Sequence, residues 1–340
     1  MKTKKIVLII FIVLLAIMGA SALFAKLYLF KTYEYERVWF QIGKDYTQEQ
    51  MDSTLVAATG KDFGNKLKFV SGLIGATPAS AHGKYLVWPG ASVLEVARNL
   101  KYGRQTPVNL TFNNLRYLED LSAKVAQTLE CDSAAFMQAC QQILMPKGYT
   151  KETLPAAFLP DTYEFYWTDT PERIVTKIVG AHDKFWNEER LAKAKKLGLT
   201  PSQVATVASI IEEESSKRDE RPAIARVYLN RLKLNIPLQA DPTIKFVIGD
   251  WSIRRIGKKH LQMDSPYNTY DRPGLPPGPI RIVERTSIDA VLNAPEHDYI
   301  YMCAKPDFSG YHNFAKNYDE HRINAAKYHR ALDARGITNF

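Results

Sequence analysis

The run from Thr200 to Glu214, T-P-S-Q-V-A-T-V-A-S-I-I-E-E-E, constrains this chain more than any other stretch. Thr200 precedes Pro201, and Gln203 follows three residues after Thr200. That spacing reads as an N-cap, a proline at the first helical position and a capping box. Val204, Ala205, Val207, Ala208, Ile210 and Ile211 then mark a helix buried over a wide arc. A helix apolar on so many sides needs neighbours around it, so it is expected at the centre of its domain.

The three glutamates can be placed on that helix. At about 100° per residue from Val204, the apolar positions run from roughly 240° through zero to about 100°. Glu212 falls near about 80° and Glu214 near about 280°, both inside the arc, and Glu213 near about 180° with Thr206 and Ser209. Two carboxylates are therefore expected to face the core and one to face water. Glu212 shares its face with Ala205 and Ala208, whose small side chains leave room beside it. A carboxylate in apolar surroundings has its pKa raised, and the negative end of the helix dipole acts in the same direction. That describes a proton donor available near neutral pH. The competing reading is a solvated, ion-paired helix end, for which Lys217, Arg218 and Arg221 are at hand.

Composition narrows the class. The 340 residues, 46% hydrophobic and 24% charged, suit a globular protein with two domains. The net charge of +9 is diffuse, and no Lys/Arg run interleaved with aromatics suggests a nucleic-acid groove. Cys131, Cys140 and Cys303 form no C-x-x-C and no metal-ligand spacing. A Cys131–Cys140 bridge is open to an oxidising compartment, but Cys140 falls on a helix that begins after Cys131. No cofactor motif appears: no Walker loop, G-x-G-x-x-G or H-E-x-x-H occurs.

The chain opens with three lysines by Lys5 and an uncharged apolar stretch from Ile6 to Ala25, about the length that spans a bilayer. Ala20-Ser21-Ala22 resembles a signal-peptide cleavage site, but the apolar run is long for one and favours an uncleaved anchor. The lysines before it favour a cytoplasmic N-terminus, with the rest of the chain outside the cytoplasm. From about 33 to 150 the pattern is mixed α+β: a strand at Lys84–Trp88, Ser92 capping a helix from Val93 to Leu100, a strand at Pro107–Phe112, and a helix through Leu118, Leu121, Val125 and Leu129. The aromatic-rich segment Leu154–Trp167 suits either core or a sugar-stacking face. Helices follow from Pro171 to Leu197, and after the central helix another starts at Pro222, with Asn235 suited to its end. Asp241 and Pro242 read as the cap and first residue of a further helix. The segments around Ser265–Tyr270 and Gly274–Ile280 combine turn formers with hydrogen-bonding side chains, as cleft loops do. A strand at Tyr299–Ala304, then Gly310-Tyr311-His312-Asn313-Phe314, and a helix to about Arg335 close the chain; lone histidines such as His312 and His321 are most often structural.

Taken together, A-S-I-I-E-x-E, L-Q-A-D-P-T, S-P-Y-N-T-Y, G-L-P-P-G-P-I and G-x-H-x-F with E-H after it, in this order, resemble the MltG (YceG-like) endolytic peptidoglycan transglycosylases. The resemblance covers nearly the whole chain, including the anchor and the F-L-P-D-T-Y segment at Phe158–Tyr163. It implies an α+β architecture in three parts: a transmembrane helix within residues 1–25, a LysM-like extracytoplasmic module over 26–150, and a mainly helical catalytic domain with a small β part over 151–340. It implies cleavage of the β-1,4 bond between N-acetylmuramic acid and N-acetylglucosamine in peptidoglycan strands, leaving 1,6-anhydro ends, without metal or cofactor. The plasma membrane and peptidoglycan synthases are the partners it implies, and the catalytic part is placed outside the cytoplasm. The motif assigns the catalytic role, acid and then base, to Glu212; Glu214, Gln239, Asp241, Tyr267 and Asn268 match positions lining the cleft. The chain departs from the family pattern twice, with Arg281-Ile282-Val283-Glu284 after the proline-rich segment and Phe112-Asn113-Asn114 after the second strand. A hydrolase with Glu214 or Asp241 assisting water, and a non-catalytic peptidoglycan-binding scaffold, are the alternatives.

Overall fold

A computed structural model describes residues 2–253 and 256–336, so the outer ends of the first and last expected segments, at 1 and 337–340, lie outside the described residues. The chain forms two compact units. The first comprises Met1–Asn109, Thr128–Glu130 and Glu164–Asp169, and the second Leu110–Gln127, Cys131–Tyr163 and Thr170–Phe340. The boundary expected near 150 therefore falls inside the second unit.

In the first unit, α1 (Lys2–Phe24) runs into a π-helical turn at Ala25–Leu29. The stretch Lys4–Leu29 has a mean hydropathy of 3.1 and none of it is buried in protein, so it is long and apolar enough to cross a membrane. After it come β1 (Val38–Ile42), α2 (Gln48–Thr59), α3 (Lys61–Leu73), β2 (Gly83–Val87) and α4 (Val93–Lys101). β1 and β2 pair antiparallel, with Val38 opposite Val87 and Ile42 opposite Gly83. Between α2 and α3, Gly60 takes φ +82°, a left-handed turn that glycine adopts without steric cost. Phe40, Ile42, Leu55, Leu67, Val87 and Leu100 close the core. The sequence reading leaves residues 38–73 unresolved, although the capping box at Thr47 and Gln50 and the stop at Gly60 are present in it.

β3 (Val108–Phe112) and β4 (Asp161–Phe165) form a second two-stranded sheet, separated in sequence by α5 (Leu118–Thr128) and α6 (Ser133–Leu144). The aromatic-rich segment goes to the core: Phe158 and Phe165 are buried, and Tyr163 stacks on Phe112 at 5.6 Å between ring centroids. The three cysteines are free.

The remaining elements are α7 (Pro171–Phe185), α8 (Glu188–Lys196), α9 (Pro201–Glu214), α10 (Arg221–Lys233), α11 (Asp241–Ile248), α12 (Lys258–Leu261), α13 (Arg285–Leu292), β5 (Tyr301–Ala304), β6 (His312–Ala315) and α14 (Tyr318–Asp333). β5 and β6 form an antiparallel hairpin pairing Ala304 with His312. α9 starts as its sequence dictates: Thr200 accepts the Gln203 N–H at 3.3 Å and Gln203 accepts the Thr200 N–H at 2.8 Å. Every residue from Val204 to Glu212 is buried, against Ile224 and Tyr228 of α10, Ile288 and Val291 of α13, and Leu238, Ile280 and Val283. At about 1.5–3 kcal/mol for each Val or Ile buried, this helix is the main apolar investment of the unit.

Two expectations are corrected. The Thr206–Ser209 side of α9 does not meet water, because Ser209 accepts the N–H of Ile280 at 3.0 Å and donates to the Thr206 carbonyl at 2.7 Å. The proline-rich segment is thereby tied across the polar arc of the helix. Asp241 is the first residue of α11 and not its cap, which is Ala240. The Ala240 N–H is already taken by Thr269 Oγ1 at 3.0 Å, and the Asp241 carboxylate by the Tyr270 hydroxyl.

Gly278 fixes how close the proline-rich segment can come. A Cβ there would lie 2.0 Å from the carbonyl oxygen of Glu152, a backbone atom that cannot swing away. Gly278→Ala should therefore lower the melting temperature, by the equivalent of about 2 kcal/mol or more. An unchanged thermal midpoint would show that the segment does not sit this tightly.

Candidate functional site

The three glutamates that end α9 leave the helix in three directions, and each meets a different environment. Glu212 is buried, with its Oε1 3.0 Å from Nε of Arg281. Its Oε2 accepts the Ser287 hydroxyl at 2.6 Å and the Glu284 N–H at 3.0 Å. Glu213 accepts from Arg281 at 2.6 Å and from Arg116 at 3.3 Å. Its side chain is 11% exposed, so the water-facing position expected of it is filled by two guanidinium groups that arrive from other segments. Arg281 also donates to Asn114 Oδ1 at 2.6 Å. The two places where the sequence departs from the family pattern thus meet through one arginine.

Among the described residues no arginine pairs with Glu214. Its partner is the hydroxyl of Tyr228, a buried residue of α10, which donates to Oε1 at 2.7 Å. Burial pushes the Glu214 carboxyl up to about 7. The negative charges of Asp241 and Glu213 add to that rise, while Tyr228 and Lys245 oppose it. The Tyr228 hydroxyl is itself held well above its usual range, chiefly by burial.

A cavity of about 390 Å³ opens at this carboxyl. Glu214, Tyr228, Arg231, Gln239, Asp241 and Tyr270 line one part of it; Tyr301 to Ala304, His312 and His321 line another. Its polar groups are held in place before any ligand arrives. Arg231, buried, donates to the Leu238 carbonyl at 2.7 Å and to Gln239 Oε1 at 3.1 Å, with its guanidinium 5.1 Å from the Tyr301 ring centre. Gln239 sits at φ +54°, a left-handed conformation costly for glutamine, and its N–H is tied to the Thr269 carbonyl at 2.9 Å. Tyr270 donates to Asp241 at 2.5 Å, and burial raises its own pKa.

Among the residues expected at the site, the structure brings Glu214, Gln239 and Asp241 together in this cavity. Glu212 is not in its lining. Asn268 is buried behind it, donating to the Leu261 and Met263 carbonyls at 2.9 Å each and accepting the Tyr270 N–H at 3.0 Å. It shapes the loop that carries Tyr270. Tyr267 turns away, packing on Phe246 at 4.7 Å and lining a separate cavity with Arg116 and Glu152. The sequence points to Arg231 or Arg226 as a partner for Glu214 and to Tyr270 as a cleft residue. Arg231 and Tyr270 line the cavity, but the partner of Glu214 is Tyr228, which helical spacing makes look like an ordinary member of α10, and Tyr301 has no signal in the sequence. Among the described residues no cluster of His, Cys, Asp or Glu is arranged to hold a metal ion. What the cavity offers is a carboxyl poised to give a proton, a buried cation, neutral hydrogen-bonding groups and an aromatic wall. That set suits a neutral, hydroxyl-rich ligand undergoing acid catalysis.

The family model described as YceG-like matches residues 40–327. A protein of Bacillus subtilis (strain 168) named endolytic murein transglycosylase is 36% identical over 178 residues, 52% of this chain and 49% of that one. A protein of the same name from Streptococcus pneumoniae (strain D39) is 30% identical over 179 residues, 52% of this chain and 32% of that one. The match spans about half, or less, of these relatives' length. A YceG-like protein of Listeria monocytogenes has a similar fold, with a TM-score of 0.56 and 24% identity over 85% of this chain and 98% of the other.

Two results test this geometry. Glu212→Ala would strip one carboxylate from the buried Arg281 and should cost about 3–5 kcal/mol in a denaturant titration; a change below about 1 kcal/mol would mean the pair is not desolvated. For Glu214, the folded-state value near 7 lies above the ordinary 4.5, so the folded protein holds this proton more tightly than the unfolded chain. Its burial therefore costs nothing at low pH and costs stability progressively as pH rises from about 4.5 through about 7. Glu214→Gln should gain stability relative to the parent between pH 5 and 8, by up to about 3 kcal/mol. A pH-independent difference would contradict the raised value.

Proposed function

The chain belongs to the YceG-like family, and from that premise we propose that it is a membrane-anchored lyase that cuts peptidoglycan strands internally, with Glu214 as the acid. The observation that carries this reading is the carboxyl of Glu214, raised to about 7 at the wall of a cavity rich in neutral hydrogen-bonding groups. The names of the curated relatives supply the substrate class.

The chemistry follows from the geometry. A lytic transglycosylase protonates the leaving glycosidic oxygen and lets the muramic 6-hydroxyl attack C1, closing the 1,6-anhydro ring. The tethered hydroxyl replaces water as nucleophile, so proximity does much of the work. A group with a pKa near 7 is half protonated at neutral pH and still acidic enough to donate. Glu212, to which the motif gave this role, is outside the cavity lining and has both oxygens occupied, Oε1 by Arg281 and Oε2 by Ser287 and a backbone N–H. It acts instead as the clamp that fixes where α9 ends and so where Glu214 stands. Gln239, Asp241 and Arg231 bind the sugar, and Tyr301 offers a ring face for its C–H edge. Tyr267 and Asn268 support the loop.

The first unit, with paired strands flanking two helices, is read as the LysM-like module that holds glycan, and Lys4–Leu29 as a single-pass anchor with its N-terminus in the cytoplasm. The lysines before the span and the membrane-crossing length support that orientation. The catalytic unit then works outside the cytoplasm on strands made by peptidoglycan synthases at the same membrane.

The test incubates the full chain with purified peptidoglycan and reads the products by mass spectrometry, with Glu214→Gln and Glu212→Gln alongside. The unmodified protein should produce anhydro-muramic ends, at a rate that falls as pH rises through about 7. Glu214→Gln should lose about 10²–10⁴-fold in kcat. Products heavier by one water would make it a hydrolase, with Asp241 the second carboxyl; glycan binding without turnover would make it a scaffold. Full activity in Glu214→Gln, with loss in Glu212→Gln, would return the acid to Glu212.

A further inference from the structure

The same cavity contains a second proton-handling arrangement that the reading above does not use. His312 opens β6 in the G-x-H-x-F segment and lines the cavity together with Glu214. A buried carboxylate holds it: Glu220 Oε1 accepts the His312 N–H at 2.7 Å, and Glu220 Oε2 lies 2.8 Å from Nδ1. Glu220 Oε2 also receives the Ser215 hydroxyl at 3.4 Å, from the residue next to Glu214. A carboxylate only accepts, so Nδ1 of His312 carries a proton, and in the neutral ring Nε2 is the nitrogen that can accept one. This is the arrangement in which a buried carboxylate orients an imidazole and stabilises the cation it forms on taking a proton.

The other imidazole of the cavity lacks this support. His321 stacks on Tyr301 at 5.2 Å, and its Nδ1 is buried with no hydrogen-bond partner. Burial lowers its pKa, and Arg231 lowers it further, so it is the poorer proton acceptor.

We propose that His312, oriented by Glu220, takes the proton from the attacking sugar hydroxyl while Glu214 gives one to the leaving oxygen. The inference rests on the lyase reading of this cavity. In the step, the C6 hydroxyl oxygen bonds to C1 and its proton passes to Nε2 of His312. The glycosidic C1–O bond breaks, its electron pair stays on the leaving oxygen, and that oxygen takes the proton of Glu214. The net transfer is one proton from Glu214 to His312, reversed by exchange with water after the product leaves. No oxidant, metal or further reactant is needed. The single-carboxyl route would require Glu214 to lose and regain its proton within one turnover; here the acid and the acceptor are separate groups lining one cavity.

The experiment uses the full chain with purified peptidoglycan, measuring kcat and KM for His312→Ala and Glu220→Gln with and without added imidazole. His312→Ala should lose about 100-fold or more in kcat while KM stays within about threefold. Free imidazole should restore part of the lost kcat in His312→Ala and none in Glu220→Gln, where the ring is still present but not oriented. Retention of kcat, a loss confined to KM, or a kcat loss that imidazole does not relieve would each overturn the proposal. The products of the unmodified protein separate the two levels: anhydro ends keep the lyase reading whatever His312 does, and hydrated ends remove that reading first.

Discussion

Arg281 is the group on which the rest of the site depends. It enters a buried region at the end of α9 and is held by carboxylates on both sides, Glu212 at 3.0 Å and Glu213 at 2.6 Å, and by Asn114. One guanidinium placed there neutralises part of a three-carboxylate run that could not otherwise be desolvated. The third carboxylate is left outside that compensation, with a phenol as partner. The same helix end therefore holds an arginine-paired couple and a carboxyl raised to about 7, because their neighbours differ.

The clamp also sets geometry. Ser287 joins Glu212 to Arg221, which donates to Ser287 at 2.9 Å and to the Ser215 carbonyl at 3.1 Å. That chain ties the end of α9, the start of α10 and the start of α13 into one buried polar network. Ser215, between Glu214 and this network, also reaches Glu220, so Glu214 and the carboxylate that holds His312 are tied to the same short connection. Rigid mounting suits the proposed reaction, whose nucleophile belongs to the substrate, because there the protein supplies position.

Much of this was legible in the sequence, and the failures are physical. The start of α9 is local chemistry, Thr200, Pro201 and Gln203, and it forms as written. The helices at Val93 and Pro171 and the end of α10 near Asn235 are equally local. The helical wheel puts Glu212 and Glu214 on the core side; Glu212 is buried there, and Glu214 is half-buried at the cavity. It could not tell which would receive a cation, because Arg281 comes from almost seventy residues away and lies in a segment that departs from the family pattern. For the same reason it sent Glu213 to water. Tyr228 looks like a routine helix residue, since nothing in a single helix says that its neighbour ends in a carboxylate. His312 was read as an isolated histidine; its partner Glu220 is ninety-two positions earlier. Local rules reached the elements, while long-range pairing decided the chemistry.

Burial raises the Glu214 carboxyl to about 7 while Glu212, two residues away, is held by Arg281. The most direct measurement is the carbon-13 NMR titration of glutamate side-chain carboxyls in the full chain, with Glu214 assigned from the signal missing in Glu214→Gln. The account predicts a midpoint near 7 for that signal, moving higher in Tyr228→Phe, because the tyrosine hydrogen bond favours the charged form. A Glu214 midpoint at the ordinary value of 4.5 would contradict it, and with it the assignment of Glu214 as the acid.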